Sequence, residues 1–267
     1  KFLKIGANDF IYKPYTNDEF YCRVLNHAQL VESYKEVNRL SLEKNSLLGM
    51  TAHDIRGPLG SIVGACRFLL QKSNYKNPER TKRGLKAISE TSEQMLLMVN
   101  ELLDISSIES GKCDLNPIQS SLSDLIEKRI DLIFMGQAAA KEIEILFNPE
   151  PAMELIFDVG RITQVIDNFI SNAIKFTPVC GVVTINLKRE KDRVFFTIKD
   201  TGPGLTDEDM KNVFKEFATL SALSTNGEKS TGLGLAICRK IIKLHSGEIG
   251  VNPSPDGGAE FYFSLPL

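Results

Sequence analysis

In the first part of the chain, apolar residues recur at steps of three and four, the spacing of amphipathic helices. One run extends from residue 30 to about residue 72 and a second from about 79 to 110, with Gly111 as the expected helix stop and a polar turn over 72–78. A helix of about 40 residues is too long for one small domain to bury, so its apolar seam needs a partner. We therefore predict a long helical hairpin that pairs with a second copy as a dimeric four-helix bundle.

After Gly111 the pattern changes to short helical and alternating segments. Helices are predicted over 122–140, 161–175 and 233–245. Strands are predicted over 143–147, 182–187, 194–199, 248–251 and 260–265, with a hairpin turn at 190–192 and a possible edge strand within 112–120. Phe261, Phe263 and Leu265 share one face of the last strand. Helices and strands in this mixture favour an α+β fold with a two-layer sandwich.

Length and composition indicate a two-domain globular chain. The chain has 267 residues, of which 42% are hydrophobic and 25% charged, with a net charge of −2. This balance gives no sign of nucleic-acid or membrane-surface binding, and no run approaches the ~18 apolar residues of a membrane span. Its five cysteines are scattered and lack the spacing of metal ligands. They are consistent with reduced thiols. Together with the absence of a signal peptide, this predicts a cytoplasmic protein with no membrane segment in this chain.

Residues 1 to about 28 have a pattern of their own. The order is a helix stop at Gly6, a strand over 9–12, the pair Lys13–Pro14 and a helix from about Asn17. It resembles the last quarter of a response-regulator receiver domain. In that family the strand-end lysine contacts the phosphoryl group, and the following bond to proline is often cis. The phospho-accepting aspartate would lie upstream, so we interpret this stretch as a receiver remnant and the chain as a piece of a longer protein.

The segment MTAHDIRGPL, within the first long helix, holds a candidate nucleophile. His53 lies beside the apolar stripe, and Asp54 can accept a hydrogen bond from its Nδ1–H, which leaves Nε2 as the nucleophilic nitrogen. Pro58 removes a helical hydrogen bond one turn later, where a bend is expected. By itself, a histidine on a helix is more often structural or solvated.

The predicted helix over 161–175 carries a polar stripe. Asn168, Asn172 and Lys175 follow one another at helical spacing. Phe169, Ala173 and Phe176 form the opposing apolar side. Amide oxygens can ligate a hard cation such as Mg²⁺, and a lysine can hold a phosphate. Taken alone, such a stripe is more often an ordinary solvated helix face.

Two glycine-rich segments follow. The first, DTGPGL, ends a strand: Asp200 can accept from an exocyclic amine, and Gly202 and Gly204 allow close approach to a planar ligand. The second, GLGL, opens a helix at Gly232 and Gly234, where free N–H groups favour phosphate. Between them, FKEF precedes a polar run over 218–231 that fits a mobile lid over a nucleotide. Each signal alone is equally compatible with a turn or a surface loop.

Taken in order, these motifs resemble those of a sensor histidine kinase over residues 30 to 267. HDIRGPL is similar to the phospho-acceptor box, DNFISNAIKF to the asparagine box, DTGPGL to the first glycine box, FKEF to the phenylalanine box and GLGL to the second glycine box. The resemblance implies a dimerisation and phosphotransfer hairpin followed by a Bergerat-type ATP-binding sandwich. It also implies ATP and Mg²⁺ as cofactors, and a response-regulator receiver domain as partner.

Carried over residue by residue, the resemblance assigns each candidate a role. His53 takes the γ-phosphoryl group, and Asp54 orients it or acts as base. Asn168 and Asn172 hold Mg²⁺, with Lys175 near the phosphates. The remaining positions bind the nucleotide: Asp200 reads the adenine amine, Gly202 and Gly204 give the base room, and Gly232 and Gly234 meet the phosphates.

The corresponding domain boundaries are 1–28 for the receiver remnant, 29–49 for a coiled-coil signal helix, 50–111 for the phosphotransfer domain and 112–267 for the ATP-binding domain. One position departs from the family pattern. Many members carry Thr or Asn four residues after the histidine, where it positions water for dephosphorylating the regulator, and this chain has Gly57. We therefore predict weak or absent phosphatase activity.

Two other functions share part of this pattern. A gyrase-like ATP-driven conformational switch would keep the nucleotide motifs but have no use for His53 and Asp54. A catalytically silent signalling scaffold would keep the fold without turnover. The presence of every nucleotide and metal motif favours the kinase over the scaffold.

Overall fold

The computed structural model describes residues 10–71, 77–150, 154–218, 220–221, 231–254 and 257–267, except for the side chains of 40–48 and 50–54. The chain divides into two compact units, residues 1–92 and 93–267. Within the described residues, no helix is long and apolar enough to cross a membrane.

The first unit is built from long helices. Helix α1 spans Asn17–Leu70 and runs through Pro58, and its N-terminus is capped by the Thr16 hydroxyl, which accepts from the Glu19 N–H at 3.1 Å. The helix start expected near Asn17 is therefore confirmed. Helix α2 spans Pro78–Glu109, and in its first part Gly84 lies close against Leu69 of α1. The predicted polar turn at 72–78 lies mostly outside the described residues.

The receiver-like segment differs from its predicted structure. The Lys13–Pro14 peptide bond is cis, as the resemblance implies. However, the strand predicted over 9–12 is wrong for residues 10–12, which form none. A strand is stable only as part of a sheet, and residues 10–12 belong to neither of the described sheets.

Gly111 ends helix α2, as predicted. Its φ of +66° lies in the left-handed region, which glycine adopts without steric cost. This turn lets Gly111 N–H donate to Ile108 and Lys112 N–H donate to Ser107, both at 3.1 Å. The last carbonyls of the helix are thereby satisfied in a Schellman arrangement.

The second unit contains a mixed five-stranded sheet. Its strands are β2 (Glu144–Pro149), β4 (Val182–Glu190), β5 (Arg193–Asp200), β6 (Glu248–Pro253) and β7 (Ala259–Pro266). They lie in the order β2-β4-β5-β7-β6, with β2 parallel to β4 and the other neighbours antiparallel. A separate antiparallel pair joins β1 (Ile118–Ser121) to β3 (Glu154–Phe157).

Helices cover the buried side of this sheet. They are α3 (Leu122–Arg129), which continues through a π-helical turn (Ile130–Phe134) into α4 (Met135–Ala139), then α5 (Val159–Phe176), α6 (Asp207–Asn212) and α7 (Gly234–Leu244). Along β5, alternate residues such as Phe196 and Ile198 are buried while their neighbours are partly exposed. Phe196 stacks on Phe263 across the β5–β7 pair, and Phe169 of α5 packs on both rings. The predicted α+β fold, a helical-hairpin region followed by a two-layer sandwich, is confirmed.

His245 ties the end of α7 to the start of α5. Its Nε2 accepts the backbone N–H of Asp158 at 3.1 Å, so its Nδ1 carries the proton that points to the Ile241 carbonyl at 2.9 Å. Asp158 in turn caps α5 by accepting from the Arg161 N–H at 3.0 Å and also binds the Asn116 N–H. Although burial acts to raise it, these backbone donors lower the pKa of Asp158.

Candidate functional site

Helix α5 has one buried side and one side facing a cavity. Phe169 and Ala173 are buried in the core, as the sequence predicts, whereas Phe176 of the same predicted side is half-buried and lines the cavity. Asn168, Asn172 and Lys175 are half-buried and line a cavity of about 300 Å³ within the second unit. This volume is at the lower end for small-molecule sites. The Asn172 amide donates to Asn168 Oδ1 at 3.0 Å, so the two side chains are held together at the cavity wall.

Asp200 lies at another wall of the same cavity. It is the last inward-facing residue of β5 and is only 5% exposed. The Gly202 N–H donates to its Oδ1 at 2.8 Å and the Ala259 N–H at 3.4 Å. Burial raises the pKa of Asp200, against the effect of these two donors. The side chain is thus a fixed acceptor inside the cavity, suited to an amine of a planar ligand.

The glycines of DTGPGL bring backbone close to this carboxylate. A Cβ on Gly202 would lie 2.7 Å from Asp200 Oδ1 and 2.9 Å from the Phe176 carbonyl oxygen. Gly204 has a φ of +77°, and a Cβ there would meet the Gly258 carbonyl oxygen at 3.0 Å. Gly258 itself packs on the Asp200 backbone and was not singled out from the sequence. Only glycine fits these positions.

The second glycine pair opens α7 beside Asn168. The φ of Gly232 is +71°, and its carbonyl accepts the Phe217 N–H at 3.0 Å. A Cβ on Gly234 would overlap the Asn168 amide nitrogen. The first N–H groups of a helix have no intrahelical partner and lie at the positive end of its dipole. The positive end of the α7 dipole therefore lies at the cavity, next to Asn168.

The FKEF segment supports the cavity from outside. The Phe214 ring meets Phe261 edge-on at 6.3 Å, and Phe217 packs against the core. Glu216 pairs with Lys240 of α7 at 2.7 Å, and Lys240 also pairs with Glu109 at the end of α2. Burial acts to lower the pKa of Lys240, but its bonds to these carboxylates raise it.

Asp209 in α6 anchors the beginning of the predicted lid. Its carboxylate accepts the Thr206 hydroxyl at 2.7 Å, the Ser221 N–H at 3.0 Å and the Ser221 hydroxyl, and these donors lower its pKa. Thr206 and Asp209 form a capping box, T-x-x-D, that could have been identified from the sequence. Of the lid predicted over 218–231, residues 219 and 222–230 lie outside the described residues.

Helix α2 supplies a part of the cavity wall that sequence reasoning missed. Gln94, Leu97 and Glu101 line it, and all three belong to the second unit. Glu101 is 8% exposed, and its carboxylate accepts the Thr231 hydroxyl. Burial raises the pKa of Glu101. A helical pattern predicts which residues share a face, but this face becomes a cavity wall only through tertiary packing.

The proposed nucleophile lies in the other unit. His53 and Asp54 are part of helix α1, as predicted, and their side chains are outside the described set. The structure thus brings together the eight candidate residues of the nucleotide motifs around or beside one cavity. The lining includes Asn168, Asn172, Lys175, Asp200, Gly204, Gly232 and Gly234, with Gly202 directly behind Asp200.

The residues present fit a hard divalent cation. The side chains of Asn168 and Asn172 offer amide oxygens to the cavity. Within the described ranges there is no group of three or more His, Cys, Asp or Glu residues that could hold a metal ion. An amide-rich donor set of this kind suits Mg²⁺ that also takes phosphate oxygens and water as ligands.

Two protein-family models match parts of the chain. Residues 157–267 match the family described as "Histidine kinase-, DNA gyrase B-, and HSP90-like ATPase". Residues 43–111 match the "His Kinase A (phospho-acceptor) domain". The first match contains the cavity residues of α5, β5 and α7, and the second contains His53.

Individual relatives are also histidine kinases. The chain is 30% identical over 248 residues to the circadian input-output histidine kinase CikA of Synechococcus elongatus, covering 91% of this chain and 33% of the relative. It is 34% identical over 249 residues to the sensor histidine kinase GacS of Pseudomonas protegens, covering 91% of this chain and 27% of the relative. Among solved structures, full-length ShkA in complex with AMPPNP matches with a TM-score of 0.61 and 28% identity, over 80% of this chain and 44% of that chain. The chain thus spans about a third or less of these two curated relatives.

Proposed function

Because the chain belongs to the sensor histidine kinases, we propose that it is an ATP-dependent protein histidine kinase that autophosphorylates His53. The observation that carries the proposal is the single cavity in which Asp200, Asn168 and the start of α7 meet. It combines an acceptor for an adenine amine, amide oxygens for a cation and open N–H groups for phosphates. The similarity to ShkA, whose structure was solved in complex with AMPPNP, supports nucleotide binding.

We assign the nucleotide contacts as the family resemblance implies them, and the lining of the cavity supports this assignment. Asp200 accepts the exocyclic amine of adenine, while Gly202 and Gly204 let the base approach the backbone. The phosphates lie toward Gly232 and Gly234 at the start of α7, with Lys175 as a further positive charge. Mg²⁺, held by Asn168 and Asn172, would neutralise charge on the phosphate oxygens when bound.

The transfer reaction follows from the acceptor box. His53 Nε2 attacks the γ-phosphorus, the bond from this phosphorus to the bridging oxygen breaks, and ADP leaves with the electron pair. The phosphorylated ring has a more acidic Nδ1–H, and Asp54 accepts this proton or stabilises it. The protein therefore contributes mainly positioning and charge, which are the main requirements of phosphoryl transfer.

The remaining assignments are proposals of the same kind. The chain acts as a homodimer through the helices of its hairpin and passes the phosphoryl group to an aspartate of a response-regulator receiver domain. The exposed apolar residues of α1 support a partner helix. The domain boundaries given above, the receiver remnant and the cytoplasmic location remain predictions from the sequence.

The experiment that tests the proposal is incubation with Mg²⁺ and γ-labelled ATP. We expect acid-labile, base-stable label on the chain and none on His53→Gln. His27→Gln, which changes another histidine of α1, is the matched control and should retain the label. Label that persists in His53→Gln would place the acceptor elsewhere. ATP hydrolysis without labelled histidine would favour a gyrase-like switch, and no nucleotide binding would favour a scaffold.

Gly57, which replaces the Thr or Asn of many family members, leads to a second proposal. Without a Thr or Asn side chain there, no hydroxyl or amide positions water near the phosphorylated regulator. We therefore expect slow loss of phosphate from the regulator in the presence of this chain. Rapid loss that depends on this chain would contradict the expectation. Gly57→Thr, in which open space surrounds the new Cβ, should accelerate the loss.

We also propose that α1 carries a regulatory signal to His53. The receiver-like segment leads directly into this helix, so rotation or shift of the helix could carry a signal to His53. Inserting one residue near Ser33 rotates the following helix by about 100°. We expect this insertion to change autophosphorylation, and an unchanged rate would rule the mechanism out.

A further inference from the structure

Glu101 is a buried acid that the assignments above leave without a role. It lies on α2, lines the nucleotide cavity and is only 8% exposed. Within the described part of the chain, its Oε2 atom has no hydrogen-bond partner. An unpaired buried carboxylate oxygen is costly, because the group has lost water without gaining a donor.

The position of Glu101 is fixed by its neighbours on α2. One turn further along the helix, Asp104 binds Arg161 at 2.6 Å and Gln164 at 2.8 Å. Ile105, which shares the face of Glu101, is 4% exposed in the hydrophobic core. These contacts hold this part of α2 against α5, which keeps the backbone of Glu101 at the cavity.

The groups around Glu101 do not offset the cost of burying its carboxylate. Burial acts most strongly to raise the pKa of Glu101, and nearby Asp104 adds to the rise, opposed by the Thr231 hydroxyl. Cys238 of α7 is buried nearby, and its own pKa is raised by burial and by Glu101. A neutral thiol is a weak donor. A cation in the cavity would supply the missing partner.

The cavity contains suitable companions for that cation. Asn168 Oδ1 accepts one hydrogen bond from Asn172 and has a second lone pair. Both asparagines line the same cavity as Glu101. Hard divalent cations prefer such oxygen donors, and a carboxylate is the strongest of them.

We propose that Glu101 supplies a carboxylate oxygen to the ligand set of the divalent cation that accompanies the nucleotide, beside Asn168 and Asn172. The inference rests on the proposed kinase function, because it concerns the same cavity. It makes helix α2 part of the nucleotide site through one charged side chain.

The test compares ADP affinity in Mg²⁺ and in EDTA by titration calorimetry on the full chain. We expect Glu101→Gln to lose about 10-fold or more of the Mg²⁺-dependent gain in affinity, with unchanged affinity in EDTA. Glu127→Gln, at an exposed position of α3, is the matched control and should keep the wild-type ratio. Because Gln keeps the shape and removes a buried charge, the variant is expected to fold, which its melting temperature checks.

Binding of Mn²⁺ in the presence of ADP, followed by the paramagnetic resonance signal of free Mn²⁺, gives a second measurement. Glu101→Gln should bind Mn²⁺ about 10-fold more weakly than wild type. An unchanged Mg²⁺ ratio and Mn²⁺ affinity would overturn the inference and leave the kinase proposal intact. Tighter ADP binding with and without metal would also overturn it, since the carboxylate would then only repel phosphate. If the wild-type chain binds ADP in neither condition, both proposals fail.

Discussion

Helix α1 in the first unit and helix α5 in the second both carry apolar residues at helical spacing, yet only α5 buries them. The buried residues of α5 are Ile162, Val165, Ile166, Phe169, Ile170, Ala173 and Ile174. None of the described side chains of α1 is buried, and Leu30, Tyr34 and Val37 are more than 60% exposed. The same sequence pattern therefore has two outcomes, and the difference depends on whether the partner surface lies in the same chain.

The second unit and helix α1 differ in where the partner for their apolar side chains comes from. The sheet and helices of the second unit complete a core within one chain, so its folding requires no partner. The apolar side of α1 remains available for another helix, which supports the proposed homodimer. The predictions below test this contrast from the largest expected effect to the smallest.

Removing an aromatic ring should affect the two units very differently. Phe169 packs against Phe196, Phe261 and Phe263, and Phe169→Ala should lower the free energy of unfolding by about 3–5 kcal/mol. Phe20→Ala, at a half-exposed position of α1, is the matched change. Hydrogen exchange of the β5 amides measures the local effect. Equal loss of protection in both variants would contradict a self-contained second unit.

A charge on the apolar side of α1 should weaken dimerisation. Leu30 is 67% exposed, and burying such a side chain in an interface contributes about 1.5–3 kcal/mol. Leu30→Asp should therefore raise the dimer dissociation constant at least about tenfold, measured by sedimentation equilibrium. Ser33→Asp adds the same charge at a polar position and should have the smaller effect. An unchanged constant in Leu30→Asp would place the interface elsewhere.

Ion pairs provide a smaller contrast. The Arg161–Asp104 pair of the second unit is only 27% and 22% exposed, whereas the Arg39–Glu36 pair of α1 is 60% and 52% exposed. Screening by water weakens the exposed pair, so Asp104→Asn should lower the free energy of unfolding by about 1 kcal/mol and Glu36→Gln should lower it by less. Urea unfolding of both variants gives the comparison. A larger loss in Glu36→Gln would reverse the expected order.

The two regions should also respond to pH with opposite sign. Burial raises the pKa of Glu101 above its ordinary 4.5, so the folded state keeps a proton that the unfolded state has released. The stabilising contribution is present at low pH and is lost as pH rises from 4.5 through the raised pKa. A hydrogen bond from Arg39 lowers the pKa of Glu36, so its contribution is lost as pH falls.

The measurement is hydrogen exchange in α2 and α1 at several pH values. In Glu101→Gln, the protection of α2 from exchange should decrease less steeply above pH 4.5. Protection elsewhere in the second unit should still depend on pH, because the pKa of buried Asp200 is also raised. Glu36→Gln should leave α2 unchanged. If Glu101→Gln preserved the full pH dependence of α2, Glu101 would not be its source.

Much of the fold could be predicted because its elements have strong local signals. Helices α2 and α5 and strands β4 to β7 begin and end within a few residues of their predicted bounds, helped by Gly111. Strand β3 was missed because four residues carry too little alternation to distinguish them from a loop. Helix α6 was missed because it has only six residues, although its capping box is visible in the sequence.

The candidate site could be predicted only in part. Asn168, Asn172 and Asp200 were found because their motifs combine unusual residue types at fixed spacing. Glu101 was not found, since on a helix of mixed polarity its acid is indistinguishable from its solvated neighbours. Its burial arises from the contacts of Asp104 and Ile105 with α5, which are far away in the sequence.

The order of strands in the sheet also constrains the path by which the second unit folds. Strands β4 and β5 are joined by a two-residue turn at Lys191 and Asp192, so this hairpin can form locally and early. Strand β6 pairs only with β7 among the described strands, although it precedes β7 in the chain. It therefore belongs to the sheet only through β7, so any opening that separates β7 from β5 removes both strands from the sheet at once.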